Sequence, residues 1–377
     1  MKNLRSLDIL CVGGARPNFV KLAPIIAALD EHPACEAVIL HTGQHYDAQM
    51  SSIFFDELGI RKPDLSLDIG SASHAVQTAK IMIRVDEILD DRRPSLVLVV
   101  GDVNSTLAAA LVAKKKNIPI AHVEAGLRSF DETMPEEINR IITDRLSDIL
   151  YTTEAEAEFN LKREGIDPSR IVFAGNVMID SLRNCLPRAT PFEVTMRRAG
   201  ASDDFMARAR SGYAVTTLHR PSNVDDPATL GPLFRALAEI SAKIPIIFPA
   251  HPRTQRLLAQ SSISNLISRR DILILEPVGY LAMVGLMRDT RLVLTDSGGM
   301  QEETTGLGVP CLTLRTSTER PITIKQGTNT LVGVDPEAVV SAAFNTLATG
   351  GKAGRIPPLW DGKAAQRIVA DIARRFQ

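Results

Sequence analysis

The chain has 377 residues, 45% hydrophobic and 23% charged, a globular composition long enough for two domains of ordinary size. Its 43 basic and 44 acidic residues leave a formal net charge of -1, which argues against a nucleic-acid partner, whose phosphates favour a strongly basic surface. No apolar stretch approaches the roughly 20 residues that span a bilayer, and Cys11, Cys35, Cys185 and Cys311 form no CxxC pair, so no membrane span, zinc site or disulfide framework is expected.

In chain order, Leu7 to Gly13 reads as a buried strand and Pro17 to Leu29 as the helix after it. The N-terminus enters this pattern without the apolar core and cleavage site of a leader, so the cytosol is the expected address. Ala37 to Thr42 is strand-like, and Ala75 to Leu89 has helical spacing. Ser95 to Val100 is a β-branched and leucine run, Ser105 to Lys116 a helix, and Ile118 to Val123 another strand. Strands alternating with helices at this spacing predict βαβ units and a parallel sheet buried on both faces. Between about Leu182 and Ser211 arginines, prolines and small residues replace the periodicity, so two domains are expected, 1–182 and 183–362. The pattern resumes with strands at Tyr213 to Leu218, Pro245 to Pro249, Ile272 to Leu275, Leu292 to Thr295 and Pro310 to Leu314. Gly350 to Pro358 reads as a loop and Gly362 to Phe376 as a terminal helix. The predicted class is α/β, with two Rossmann-like doubly wound domains facing a cleft, and ligand loops at the carboxyl ends of the strands.

Most of the informative polar residues follow a predicted strand end. Gly13-Gly14-Ala15-Arg16-Pro17 leads into a helix carrying Lys21, an arrangement that suits an anion and equally suits a capped surface helix. Asp102 follows Gly101 at a helix start, where Asp is also a favoured N-cap. Glu124 lies in His122-Val123-Glu124-Ala125-Gly126-Leu127-Arg128. Glu136 lies in Pro135-Glu136-Glu137, where an acid also complements the helix dipole. Three carboxylates arriving at one sheet edge point to acid–base chemistry, because like charges push pKa values apart. In the second half, His219 and His251 follow strands and suit proton transfer, phosphate binding or a structural role. Thr295-Asp296-Ser297-Gly298-Gly299 ends a strand and opens a helix, an anion cradle suited to a diphosphate. Glu303, one turn on, is placed to accept two ribose hydroxyls, and Arg320 in Thr318-Glu319-Arg320-Pro321 is placed to reach the same ligand.

Together these segments resemble the non-hydrolysing UDP-N-acetylglucosamine 2-epimerases over nearly the whole chain. The resemblance implies the glycosyltransferase-B architecture, with the last helix (363–377) packing back on the first domain, and a homodimer. It implies reversible inversion at C2 of UDP-GlcNAc to UDP-ManNAc, by anti elimination of UDP to a 2-acetamidoglucal and re-addition to the other face. Asp102, Glu124, Glu136 and His219 are then the catalytic group, with Arg16, Lys21, Ser297, Gly298, Gly299, Glu303 and Arg320 holding UDP and His251 among the substrate-binding candidates. Asn18 stands where many members carry Glu. Val278 and Met283 replace a Gln and a Phe that line the uracil site in some. Thr42-Gly43-Gln44-His45 resembles part of an activator site, whereas Gly70-Ser71-Ala72-Ser73-His74 departs from it. This chemistry requires no redox cofactor and no metal. Rival readings are a 2-epimerase for another UDP-2-acetamido sugar, such as a 2,3-diacetamido-glucuronate, a glycosyltransferase of the same fold, and a nucleotide-sugar sensor.

Overall fold

The computed structural model describes residues 6–44, 48–250, 252–259 and 271–376. The chain divides into two compact units, one running to Asn184 and resuming at Pro358, the other spanning Cys185–Pro357.

In the first unit the β-branched and leucine runs form β1 (Leu7–Gly13), β2 (Cys35–His41), β3 (Leu65–Ser66), β4 (Leu96–Val100), β5 (Ile120–Ala125), β6 (Ile149–Thr152) and β7 (Ile171–Phe173). They pair in parallel in the order β3-β2-β1-β4-β5-β6-β7. Every residue of β4 is buried, as expected when helices cover both faces of a parallel sheet. On one face Val12, Leu40, Val97 and Val99 pack with Ile81, Val85 and Leu89 of the helix His74–Arg92 and with Ala109 and Val112 of the helix Asn104–Lys115. The helix Arg16–Asp30 packs on β1, β2 and β4 and against the terminal helix Ala364–Phe376, which belongs to this unit.

The second unit repeats the plan with β8 (Ala214–Thr217), β9 (Ile246–Pro249), β10 (Ile272–Leu275), β11 (Leu292–Thr295), β12 (Cys311–Thr313) and β13 (Asn329–Leu331). These are also parallel, in the order β10-β9-β8-β11-β12-β13. Its core joins Leu233, Phe234 and Leu237 of the helix Pro227–Ile240 to Phe248, Leu292, Leu294, Val339 and Ala343. The α/β class with two doubly wound parallel sheets is as the periodicity predicts. In each sheet the strand order reverses once, between β1 and β4 and between β8 and β11. At such a point the connections diverge to opposite faces and leave a crevice at the strand ends.

The aperiodic stretch after Leu182 is not a plain linker. It contains two helices, Phe192–Arg198 and Asp203–Ala209, the second capped by Ser202, whose hydroxyl accepts the Phe205 N–H. Each is seven residues long, too short to show a period against its arginines. No helix among the described residues is long and apolar enough to cross a membrane.

Trp360 seats the chain's return to the first unit: it is fully buried, and its indole N–H donates to the Thr153 carbonyl at 3.0 Å. Trp360→Ala is expected to lower unfolding stability by about 3–5 kcal/mol, the usual cost of truncating a buried Trp. Urea denaturation followed by circular dichroism reads this, and an unchanged midpoint would show that the return segment is not anchored there.

Candidate active site

In the first unit the loops after β1, β4 and β5 hold one another. Asn18, in the first turn after β1, accepts the Gly14 and Ala15 N–H groups (3.3 and 3.0 Å) and donates to the Val100 carbonyl at the end of β4 (3.0 Å). One turn further on, Lys21 is buried, and its Nζ lies 2.7 Å from both oxygens of Glu124. Gly101, after β4, adopts φ +69°; a Cβ there would lie 3.4 Å from Lys21 Nζ, 3.5 Å from Asn18 Nδ2 and 3.8 Å from Glu124 Oε1. Gly101 therefore marks where the three loops meet.

Glu124 itself stands in left-handed backbone, φ +71°. It is the extra residue of a bulge: Val123 pairs with Tyr151 and Ala125 with Thr152, so Glu124 has no place in the ladder between β5 and β6. A non-glycine residue in that region costs roughly 1–3 kcal/mol and persists only where its surroundings over-determine it. They do so here. Gly126 donates its N–H to Asp144 at 3.0 Å and its carbonyl accepts from Asn160 at 3.0 Å. Asp144 is fully buried and also takes His122 Nδ1 and Arg128, each at 2.7 Å. Burial alone would raise the Asp144 carboxyl, but the His122 and Arg128 contacts outweigh it and hold it low.

The other two carboxylates separate. Val103, not Asp102, occupies the N-cap position of the helix after β4, with no side-chain capping bond. Asp102 instead pairs with Arg140, and its carbonyl accepts from Asn139 at 2.9 Å. Of the acidic doublet, Glu137 is buried, pairs with Arg140 and accepts the Ser129 and Phe130 N–H groups, so it is a structural brace. Glu136 is exposed in the first turn of the helix Pro135–Leu146. Asp102 is thus held by Arg140 on the helix that also carries Glu136, while Glu124 is held separately by Lys21. Arg16, at the first helix start, places its guanidinium 4.7 Å from the centre of the Phe54 ring. Gln44 accepts from Ser105 Oγ at 3.0 Å, and Gly70 accepts from Gln77 at 3.0 Å. His45 lies outside the described residues.

In the second unit the register sets Thr217 beside Thr295, so His219 and Asp296 emerge from neighbouring strands. Asp296 is fully buried and accepts the backbone N–H groups of His219 and Arg220 and the Asn223 amide. His219 Nδ1 lies 2.8 Å from its carboxylate. Burial pushes Asp296 up, yet the His219 bond and the backbone donors keep it below the usual range, an anion that fixes the His219 ring. With Nδ1 donating to Asp296, Nε2 is the nitrogen turned outward, and the His219 side chain is 56% exposed. Asp296 is the functional candidate that sequence reasoning passed over.

Ser297 caps the helix Gly298–Leu307, its hydroxyl accepting the Met300 N–H at 3.4 Å. A Cβ on Gly298 would stand 2.8 Å from Glu319 Oε1, so this position needs glycine for close approach. Burial would raise Glu319, but Arg320, Arg315 and Arg220 bring it down to about 2. Arg320 is itself buried, with Nε 3.0 Å from Glu302. Glu303 is buried and accepts the Tyr280 hydroxyl at 2.8 Å. Val278 lines a cavity of about 430 Å³ with Gln255, Ile274, Gly279 and Arg198; Met283 is half-buried and is not part of that lining. His251 lies outside the described residues. Among the described residues no group of three His, Cys, Asp or Glu could hold a metal ion.

The Lys21–Glu124 pair yields a direct stability test. Lys21→Met should cost about 3–5 kcal/mol, because breaking a buried pair strands the remaining charge. The double variant with Glu124→Gln should recover most of it. Additive losses in a double-mutant cycle would mean that the two side chains are not energetically coupled.

The UDP-N-acetylglucosamine 2-epimerase family model matches residues 27–373. A UDP-N-acetylglucosamine 2-epimerase homolog of Methanococcus maripaludis is 45% identical over 335 residues, covering 89% of this chain and 91% of its own. The UDP-2,3-diacetamido-2,3-dideoxy-D-glucuronate 2-epimerase of Pseudomonas aeruginosa is 41% identical, covering 98% of this chain and all of its own. The crystal structure of the Methanocaldococcus jannaschii UDP-GlcNAc 2-epimerase, in complex with UDP-GlcNAc and UDP, superposes with a TM-score of 0.85 at 40% identity, covering 97% of this chain and 99% of that one. With a family model over most of its length and relatives above 40% identity, the chain belongs to the UDP-N-acetylglucosamine 2-epimerase family of isomerases.

Proposed function

We propose that this protein interconverts UDP-GlcNAc and UDP-ManNAc by eliminating and re-adding UDP. A carboxylate takes the C2 proton, the C1–O bond breaks with its electron pair leaving on UDP, and a C1–C2 double bond forms in a 2-acetamidoglucal. Reversal with the proton delivered from the opposite face gives the C2 epimer. That sequence needs proton-transfer groups on two faces of the sugar and cationic or amide stabilisation of the departing diphosphate. Asp102, Glu124, Glu136 and His219 are the proposed proton-transfer group. Arg16, Lys21, Ser297, Gly298, Gly299 and Arg320 are proposed to hold the diphosphate, Glu303 the ribose, and Val278 and Met283 the base.

The observation that carries this reading is Glu124, a buried carboxylate held in a strained conformation beside a lysine, at the end of the strand next to the one that presents Asp102. Backbone strain placed at one ionisable residue by a dedicated bulge suits a pre-organised acid–base group. A sensor has no use for it, and a glycosyltransferase has no C2 proton to move.

A 2,3-diacetamido-glucuronate substrate is a second reading, favoured by the 41% identity to the Pseudomonas enzyme. Both substrates are charged nucleotides that do not cross a bilayer unaided, which supports a cytosolic site of action. A homodimer is supported by apolar side chains exposed on two helices of the first unit, Val76 and Ile83 on His74–Arg92 and Ile138 and Ile142 on Pro135–Leu146. Light scattering of the purified protein decides the stoichiometry.

Purified enzyme given each UDP-sugar in turn, with products resolved by NMR, tests the reaction and its substrate together. Asp102→Asn, Glu124→Gln and Glu136→Gln should each lower turnover by about 10²-fold or more, the first and last with folding intact and Glu124→Gln, which strands Lys21, in the fraction that circular dichroism shows to be folded. Near-normal turnover in all three would leave the carboxylates as structural groups only.

A further inference from the structure

Glu303 has a neighbour to which the reaction so far gives no part. Tyr280 opens the helix Tyr280–Arg288, immediately after Val278 and Gly279 at the cavity beside β10. Its hydroxyl is buried and donates to Glu303 Oε1 at 2.8 Å. We infer that Tyr280 is a positioning residue for the nucleotide: its hydroxyl favours the carboxylate form of Glu303 and fixes its plane, so nucleotide binding and protonation of Glu303 compete. This rests on the proposed contact between Glu303 and the ribose hydroxyls.

The groups around Glu303 set the direction of that competition. On its own helix, Glu302 precedes it and pairs with Arg320. From the helix Tyr280–Arg288 comes Tyr280, on whose hydroxyl the Cys185 thiol also acts. From β12 comes Cys311, whose thiol is taken up with Thr304. Lys325, on the helix Pro321–Lys325, is exposed, and Asp296 beyond β11 is committed to His219. Burial is the largest influence and raises Glu303 to about 7; Tyr280 pulls it down and Glu302 pushes it up. A carboxylate accepts two ribose hydroxyls, whereas the protonated acid has lost an acceptor. Binding is therefore strongest above the Glu303 pKa and weakens as pH falls through it. Without the Tyr280 hydroxyl the acid form is favoured further, and the weakening begins at higher pH.

Calorimetric titration of the full chain with UDP-GlcNAc tests this, because the diphosphate of that ligand stays fully ionised throughout the range. Wild type should bind about tenfold more weakly near pH 6 than near pH 8. Tyr280→Phe should bind several-fold more weakly than wild type near neutral pH and approach it at about pH 8.5, its curve displaced upward. Glu303→Gln should bind weakly with no dependence over that range. Wild-type affinity in Glu303→Gln would remove the ribose contact on which the inference rests. Weakened binding in Glu303→Gln, with superimposable curves for wild type and Tyr280→Phe, would overturn the role of Tyr280 and leave the ribose contact standing.

Discussion

A parallel sheet releases all of its strands at one edge, and only where the strand order reverses do neighbouring connections part and leave that edge open. This constraint locates most of the chemistry-bearing loops. Within the first unit, β1 and β4 flank the reversal, and their loops carry Arg16, Asn18 and Asp102; the neighbouring β5 supplies Glu124. Within the second, β8 and β11 flank it, and their loops carry His219, Asp296, Ser297 and Gly298. Hydrogen bonds between loops then replace the ladder that ends there. Asn18 reaches the end of β4, and Asp296 reaches back to the loop after β8.

Holding ionisable groups at such an edge is expensive, and the two units meet the cost in different ways. In the first, a buried carboxylate is forced into left-handed backbone and compensated by an adjacent lysine, while a second buried acid, Asp144, braces the turn from below. In the second, the buried Asp296 is satisfied by the backbone N–H groups of His219 and Arg220, the Asn223 amide and the His219 ring. The result in each is a side chain whose rotamer is set before any ligand arrives, the condition under which electrostatic stabilisation of a transition state costs no reorganisation.

Much of the fold was legible where a buried strand is an apolar run with clear bounds, as in β4, five buried residues between Ser95 and Gly101. Short elements were not. β3, β7 and β13 have two or three residues each, fewer than one alternation can reveal. The candidate site was legible where a strand end and a helix start coincide in sequence, as at Arg16, Asp102 and Ser297. It was illegible where the information is three-dimensional. Glu136 and Glu137 are adjacent and chemically alike; helix phase alone sends one to solvent and the other under the loop at Ser129. Asp296 receives no role of its own from the sequence because its partner His219 is 77 residues away, brought close by the register of β8 against β11. Tyr280 lies 23 residues before Glu303, with no spacing rule that would pair them.

The edge residues are proposed to move a proton at C2 of a UDP-sugar. Proton NMR of UDP-GlcNAc incubated with the enzyme in deuterium oxide tests it most directly. Deuterium is expected at C2 in the manno product and, with time, in the recovered gluco substrate, because both pass through the same glycal. A manno product that keeps its original C2 proton would contradict it, as would release of UDP without any manno product.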